Sequence, residues 1–162
     1  FSLHFPHSEI NFYSCETEMH QGKPNDYFQF PTDILNKKFD GELALSKLQQ
    51  YFAEENIGNA LMEKSVFVGM GDLIRTEALY RAKIHPESLV NNIPEKKLIF
   101  LIISAVNFAD ELVEHFKNDE VNSKALIFEK KMCPKDKTEI QVALSTETNR
   151  KIYICPKCQK LF

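Results

Sequence analysis

Three of the four cysteines lie in the last thirty residues, and their spacing could hold a metal ion. Cys155-Pro-Lys-Cys158 has the C-x-x-C spacing of a zinc knuckle, and Cys133-Pro-Lys-Asp136 repeats that spacing with a carboxylate in the last position. Structural zinc sites favour thiolate and imidazole ligands, and zinc also accepts carboxylates. We therefore predict a Zn²⁺ site formed by Cys133, Asp136, Cys155 and Cys158. The alternatives are a site of three thiolates and one water, and a small hairpin whose thiols bind no metal.

A glycine-rich turn between two predicted helices is the second pattern that could do chemistry. Gly69-Met70-Gly71 leads into Asp72, which we predict as the capping residue of the next helix. Glycines allow positive φ or the close approach of a ligand, and the free amides at a helix start attract phosphate. The motif is short and Asp72 adds a negative charge, so on spacing alone a tight turn without a ligand is the better explanation.

The remaining periodicity indicates a mainly α fold with small β parts. Residues 1–20 contain two short strands, and the helical pattern runs from Asp33 to about Asn118. Asp40 and Asn56 are predicted caps, and Pro94 is predicted near the start of the last helix. The predicted apolar face of that helix contains Ile99, Ile102, Ile103, Val106, Phe108, Leu112, Val113 and Phe116.

Beyond the last helix the pattern changes to short strands. Residues 125–128 form a candidate strand, and residues 140–144 and 151–154 alternate with period two, which predicts a β-hairpin closed by residues 145–150. Cys133 precedes this hairpin and the C-x-x-C follows it, as in a zinc ribbon that has too little core to fold without metal.

Composition places the chain among globular proteins and gives its C-terminal part a distinct charge. The chain has 162 residues, 43% hydrophobic and 27% charged, which excludes a disordered or collagen-like chain. No apolar run is long enough to cross a bilayer, and we expect no membrane partner. The net charge of −3 combines +5 from residue 121 onward with −8 before it. This asymmetry suggests an anionic partner, although charge alone favours a solvated lysine-rich surface.

Three stretches resemble the formamidopyrimidine-DNA glycosylase/endonuclease VIII family. The segment from Val68 to Pro86 contains G-M-G-D, E-A-L-Y-R-A and I-H-P, similar to the family's helix–two-turn–helix, where the turn is G-I-G-N. Residues 149–160 resemble the family's C-terminal zinc-finger hairpin, and residues 33–39 resemble the start of its helical domain, above all in the endonuclease VIII-like 2 branch. The stretches occur in the family's order over nearly the whole chain.

The resemblance implies a domain division and a set of DNA contacts. Residues 1–30 would be the last strands of an N-terminal β-sandwich, residues 31–120 the helix–two-turn–helix domain, and residues 121–162 a zinc-ribbon-like hairpin. Asp72 and Arg150 stand where the family holds DNA phosphates, and with Gly69 and Gly71 they form the expected DNA-binding set. Asp72 departs from the family's asparagine and loses an amide donor. At the fourth metal-ligand position, relatives carry cysteine in place of Asp136, or a histidine one position later.

The resemblance also implies an activity whose catalytic residues are not in this chain. Family enzymes attack the sugar with an N-terminal proline amine, followed by a glutamate, and form a Schiff base that leads to strand cleavage. Because Phe1 aligns inside the sandwich, we expect the DNA-binding half of a bifunctional DNA glycosylase/abasic-site lyase of base-excision repair. Its expected partners are damaged or abasic duplex DNA and the missing N-terminal half.

The same reasoning gives an expected location and two alternatives. We expect the protein inside the cell, in the nucleus or wherever its DNA is replicated. One alternative is a catalytically inactive DNA-binding or protein-docking module of the same family. The other is a helical protein with an unrelated zinc ribbon that docks a partner.

Overall fold

The computed structural model describes residues 1–23, 30–116, 124–145 and 150–162. Its elements, in chain order, are β1 (Ser2–Phe5), β2 (Ser8–Asn11), α1 (Gly41–Tyr51), α2 (Ile57–Ala60), α3 (Asp72–Ala82), a 3₁₀ turn (Val90–Asn92), α4 (Glu95–Phe116), β3 (Gln141–Leu144) and β4 (Lys151–Ile154). The predicted class, mainly α with small β parts, is confirmed. Among these helices none has both the length and the apolar character needed to cross a membrane.

Helix α4 is the centre of the helical domain, because α1 and α3 both pack against it. Its Leu98, Leu101, Ala105 and Phe108 are at most 1% exposed. The predicted apolar face is correct at Ile102, Phe108 and Leu112, whereas Ile99, Ile103 and Phe116 lie exposed. Apolar residues surround more than half of this helix, so periodicity alone does not decide which side its neighbours cover.

The starts of the helices agree with the predicted caps in part. Asp40 caps α1 by accepting a hydrogen bond from the amide of Leu43 at 2.9 Å. Asn56 occupies the cap position of α2 without a side-chain hydrogen bond. For α3 the prediction was wrong by one residue: Gly71 is the cap and Asp72 is the first helical residue. The Asp72 carboxylate contacts arginine side chains and leaves the amides of α3 uncapped.

Strands β1 and β2 form an antiparallel hairpin, with Leu3 opposite Ile10 and Phe5 opposite Ser8. Every residue of both strands is exposed. The alternation places Leu3, Phe5 and Ile10 on one face, and the rings of Phe1 and Phe12 extend this face at 5.7 Å between centroids. A two-stranded sheet is marginal by itself, so this apolar face is suited to packing against further strands. Cys15 lies exposed after this hairpin.

The C-terminal part contains the second hairpin, in which Gln141 pairs with Ile154 and Leu144 with Lys151. The two predicted strands are confirmed, while residues 146–149 of the predicted loop lie outside the described residues. The strand predicted at 125–128 is wrong, because this segment is a turn. The amides of Ile127 and Phe128 donate hydrogen bonds to the Glu77 side chain of α3. The C-terminal part has a small core of its own, which Tyr80 of α3 completes. This core consists of Tyr80, Ile127, Cys133, Ile140, Tyr153 and Cys155. We call residues 124–162 the finger.

Candidate metal centre and nucleic-acid interface

The four predicted metal ligands lie together in the finger. One ligand atom from each of Cys133, Asp136, Cys155 and Cys158 lies within 4.8 Å of all the others. The Sγ atoms of Cys133 and Cys158 are 3.8 Å apart, and Oδ2 of Asp136 lies 3.3 Å from Cys158 Sγ and 3.7 Å from Cys155 Sγ. A tetrahedral ion with zinc-type bond lengths needs about 3.8 Å between sulfurs and about 3.5 Å between sulfur and oxygen. The cluster could therefore hold one metal ion.

Backbone hydrogen bonds fix the turn that presents Cys133 and Asp136. The amide of Cys133 donates to the carbonyl of Thr138 at 2.7 Å, and the amide of Lys137 donates to the carbonyl of Cys133 at 3.0 Å. Lys137 adopts φ 60° to close the turn. The Thr138 amide donates to Oδ1 of Asp136 at 2.9 Å, which leaves Oδ2 directed at the thiols. Asp136 is thus oriented as a ligand by the turn itself.

The protonation of this cluster is uneven. Hydrogen bonding from the Thr138 amide holds the pKa of Asp136 well below its usual range. Burial, together with the neighbouring Asp136 carboxylate, raises the pKa of the Cys158 thiol to about 12. Burial would also raise the pKa of Cys133, but hydrogen bonds from Tyr80 and from the backbone of the turn outweigh it and lower that pKa. A metal ion would therefore have to displace the proton of Cys158 in particular, since metal ligation requires a thiolate.

Tyr80 and Gln159 support the ligands from outside the cluster. The buried Tyr80 hydroxyl lies 3.2 Å from Sγ of Cys133, and burial followed by this contact raises the pKa of the phenol, which keeps it a donor. Gln159 accepts from the amide of Cys155 at 2.8 Å and donates to the carbonyl of Ile84 at 3.0 Å. Hydrogen-bond partners of this kind fix the orientation of metal ligands. Tyr80 was not among the predicted site residues, so its contact with the cluster was missed.

Two charged residues of α3 anchor the finger, and both were missed as functional residues. Arg75 is 1% exposed and donates to the carbonyl of Lys151 at 3.0 Å. Glu77 is fully buried, and its Oε1 accepts hydrogen bonds from the amides of Ile127 and Phe128, both at 2.9 Å. The sequence gives no clear local signal for either residue, because a buried charge takes its partners from elsewhere in the chain.

The expected DNA-binding residues meet where the second hairpin reaches the start of α3. Nη1 of Arg150 lies 2.9 Å from Oδ2 of Asp72. Gly71 is extended, and a Cβ there would have no atom within 4 Å, so the backbone at the helix start is open. Gly69 has φ 84°, and a Cβ on it would lie 3.2 Å from Ile34, so it serves the turn.

The structure thus separates the predicted residues into two groups, at opposite ends of β4. Arg150 precedes this strand and Cys155 follows it, roughly 16 Å further along an extended chain. At the Arg150 end, Asp72 lies between two guanidinium groups, since its Oδ1 is 3.0 Å from Nη2 of Arg75. Arg75 is buried and the Arg150 side chain is 50% exposed, so Arg150 is the cation of this trio that a ligand can reach. The trio carries a net positive charge.

Comparisons with known proteins agree with the resemblance. The family model described as the formamidopyrimidine-DNA glycosylase H2TH domain matches residues 31–124. Endonuclease 8-like 2 of Mus musculus is 30% identical over 151 residues, which are 91% of this chain and 44% of the relative. Endonuclease 8-like 2 of Bos taurus is 31% identical over 161 residues, 97% of this chain and 47% of the relative. The chain therefore spans about half the length of these relatives.

Solved structures show the same fold. A viral DNA glycosylase superposes with a TM-score of 0.70 at 29% identity, covering 80% of this chain and 50% of that one. The Lactococcus lactis formamidopyrimidine-DNA glycosylase, bound non-covalently to DNA containing an AP site, also superposes with a TM-score of 0.70, at 24% identity over 80% of this chain and 49% of that one. Because the H2TH model matches more than half of the residues, this chain belongs to the formamidopyrimidine-DNA glycosylase family.

Proposed function

We propose that this chain is the DNA-binding half of a bifunctional DNA glycosylase/abasic-site lyase of base-excision repair. The observation that carries the proposal is the meeting of Arg150 with the open start of α3, two features 78 residues apart in the chain. A reachable guanidinium beside an uncapped helix start suits a backbone phosphate of duplex DNA. The solved relatives include complexes with abasic-site DNA and with 8-oxo-G-containing DNA, which supports a damaged duplex as the ligand.

The role of each residue in this site follows from its chemistry. Arg150 would donate to phosphate oxygens, and the open backbone at Gly71 would let the phosphate approach the amides at the start of α3. Gly69 would hold the turn in the shape that leaves this approach free. Phosphate contacts position a protein on DNA without reading its bases. The recognition of a particular lesion would therefore come from residues outside this set.

We also propose that the cluster of Cys133, Asp136, Cys155 and Cys158 holds Zn²⁺ as a structural ion. Its three sulfurs and one carboxylate oxygen match the donor types and spacing of a closed tetrahedral site. When bound, the ion would supply a cross-link among these ligands, in a finger that buries few apolar side chains of its own. It would hold β3 and β4 in place and thereby position Arg150 against α3.

Base removal and strand cleavage would require a further half of the protein that supplies the catalytic proline and glutamate. The exposed apolar face of β1 and β2 supports this arrangement, because it suits the packing of additional strands. The proposed division is then a sandwich end at residues 1–30, the helix–two-turn–helix domain at 31–120 and a zinc-ribbon-like hairpin domain at 121–162, which contains the finger. For the chain alone we expect DNA binding without turnover, and we propose that it acts in the compartment that holds the DNA, the nucleus where there is one.

The test is fluorescence anisotropy of the zinc-loaded chain with a duplex that carries a tetrahydrofuran abasic analogue, against undamaged duplex, over a salt series. We expect salt-dependent binding that Arg150→Ala weakens about tenfold at low salt. Lys96→Ala is the matched control, since it removes an exposed charge in the first turn of α4 and should change affinity less than twofold. Equal affinity of Arg150→Ala and the unchanged chain would contradict the role of Arg150.

The second candidate function is a catalytically inactive module of the same family. The observation that favours it is Asp72, whose carboxylate stands where a phosphate ligand would be repelled and already contacts Arg150. The coding sequence upstream of residue 1 discriminates the two candidates. An opening Pro-Glu, joined to this segment, would support the enzyme, whereas a longer protein without it would support the module.

A further inference from the structure

The contact between Asp72 and Arg150 links two positions that were both expected to bind DNA phosphates. Arg150 Nη1 and Asp72 Oδ2 are 2.9 Å apart, and the Arg150 side chain is 50% exposed. The residues are 78 positions apart, so the contact is made by the docking of the second hairpin against α3. The carboxylate therefore occupies a donor group that an incoming phosphate would use.

The two arginines that flank Asp72 differ in their freedom to change partners. Arg75 is 1% exposed and also donates to the carbonyls of Lys151 and Gly58, at 3.0 and 3.4 Å. This network fixes Arg75, and through it the carboxylate of Asp72. Arg150 is half exposed, and an ion pair at such a site is weak enough to open. Only the Arg150 side of the trio can therefore exchange the carboxylate for another anion.

We propose that the Asp72 carboxylate is an internal competitor of the DNA phosphate for Arg150, so that this ion pair limits the affinity of the chain for DNA. The inference rests on the proposed DNA-binding function. Carboxylate and phosphate both accept charge-assisted hydrogen bonds from a guanidinium, and they repel each other across a short distance. Removing the negative charge at position 72 frees Arg150 and ends the repulsion.

The opposite role for Asp72 would be to hold Arg150 in its binding orientation. A positioning role predicts a change in DNA affinity in the opposite direction. Loss of the carboxylate would let Arg150 move away and would weaken DNA binding. The two roles are therefore separated by the direction of a single measurement. A second mutation at Arg150 tests the mechanism further, because competition acts through this side chain.

The experiment is a double-mutant cycle, measured by anisotropy with the zinc-loaded full chain and the tetrahydrofuran duplex. Its members are the unchanged chain, Asp72→Asn, Arg150→Ala and the double variant. Asp72→Asn should tighten binding about threefold to tenfold at low salt, and the gain should shrink at least by half when Arg150 is absent. Asp110→Asn, which removes an exposed charge of the same type from α4, should leave affinity within twofold. Circular dichroism confirms that each variant is folded.

Asp72→Ser guards against an effect specific to asparagine, since serine removes the charge without offering an amide. Tightening by both variants supports competition, while tightening by Asp72→Asn alone overturns it. If the unchanged chain binds and Asp72→Asn binds equally or more weakly, the competition is refuted and the proposed function stands. If neither the unchanged chain nor any Asp72 variant binds at low salt, both the competition and the DNA-binding function are refuted.

Discussion

The helical domain and the finger are stabilised by different kinds of interaction. Among the described residues, one apolar cluster of twenty buried side chains holds the helices together, whereas the cluster of the finger has six, two of them the ligand cysteines Cys133 and Cys155. Each fully buried apolar side chain contributes roughly 1.5–3 kcal/mol. The helical domain can therefore be stable through burial, whereas the finger, with its smaller core, has to rely more on its contacts with α3 and on the proposed metal ion.

Helix α3 belongs to both regions, and this explains its unusual composition. Its Ala78 and Leu79 lie in the helical core, while Arg75, Glu77 and Tyr80 reach the finger. A small module that has little core of its own can thus be positioned by a few buried polar contacts. Three experiments test this comparison.

Removal of the metal should have the largest effect and should be confined to the finger. Chelation of the proposed zinc ion removes its whole binding free energy, which is on the order of 10 kcal/mol in small zinc modules, and Cys155→Ser weakens the site by one ligand. We expect β3 and β4 to lose their protection from hydrogen exchange while the amides of α1 and α4 keep theirs. The measurement is hydrogen exchange by mass spectrometry, with and without chelator.

Cys15→Ser is the control for this experiment, because Cys15 is an exposed cysteine outside the ligand cluster. It should leave exchange unchanged in both regions. Equal loss of protection in α4 and in β4 after chelation would show one cooperative unit and would end the distinction between the two regions.

Truncation of the helical core should give the next largest effect, independent of metal. Leu101 is fully buried in α4, and Leu101→Ala should lower the free energy of unfolding by about 2–5 kcal/mol. Ile103 lies on the same helix at 50% exposure, and Ile103→Ala should change it by less than about 0.5 kcal/mol. Urea unfolding followed by far-ultraviolet circular dichroism measures both. A similar loss for both variants would mean that the exposed side of α4 is packed in solution.

The parts of the structure that were predictable from sequence are those that depend on local patterns. Periodicity gave the helices, and the alternation in residues 140–144 and 151–154 gave the second hairpin, because both patterns are local. The segment 125–128 was misassigned as a strand since its partner is the Glu77 side chain, fifty residues away. The position of Asp72 was misjudged for the same reason, because its carboxylate is used by Arg150 from the other end of the chain.

The clustering of the three thiols with Asp136 was predictable because cysteine spacing is a local signal with few alternative uses. Asp136 could be placed by that spacing, whereas the polar support from Tyr80 and Gln159 could not. Both residues act across the boundary between the helical domain and the finger. Contacts of this kind depend on how elements pack, and a single sequence carries no direct signal of packing.

The smallest expected effect concerns the contact that joins the two regions at Glu77. Its Oε1 accepts the amides of Ile127 and Phe128 in a fully buried position. Glu77→Ala would leave two buried donors without this acceptor and should cost about 1–3 kcal/mol. Glu77→Gln keeps a carbonyl oxygen at the same place and should cost less than half as much. Both variants should bind the metal, because Glu77 is not a ligand.

Thermal unfolding and hydrogen exchange at residues 124–128 measure this contact, with Glu87→Ala as an exposed control. Faster exchange in Glu77→Ala, with slower exchange retained in Glu77→Gln, would show that the acceptor oxygen holds the segment. If Glu77→Gln were as damaging as Glu77→Ala, the buried charge itself would be required. The finger would then be docked to α3 by electrostatic attraction and not by the geometry of two hydrogen bonds, and α3 would serve as a charged platform for the finger.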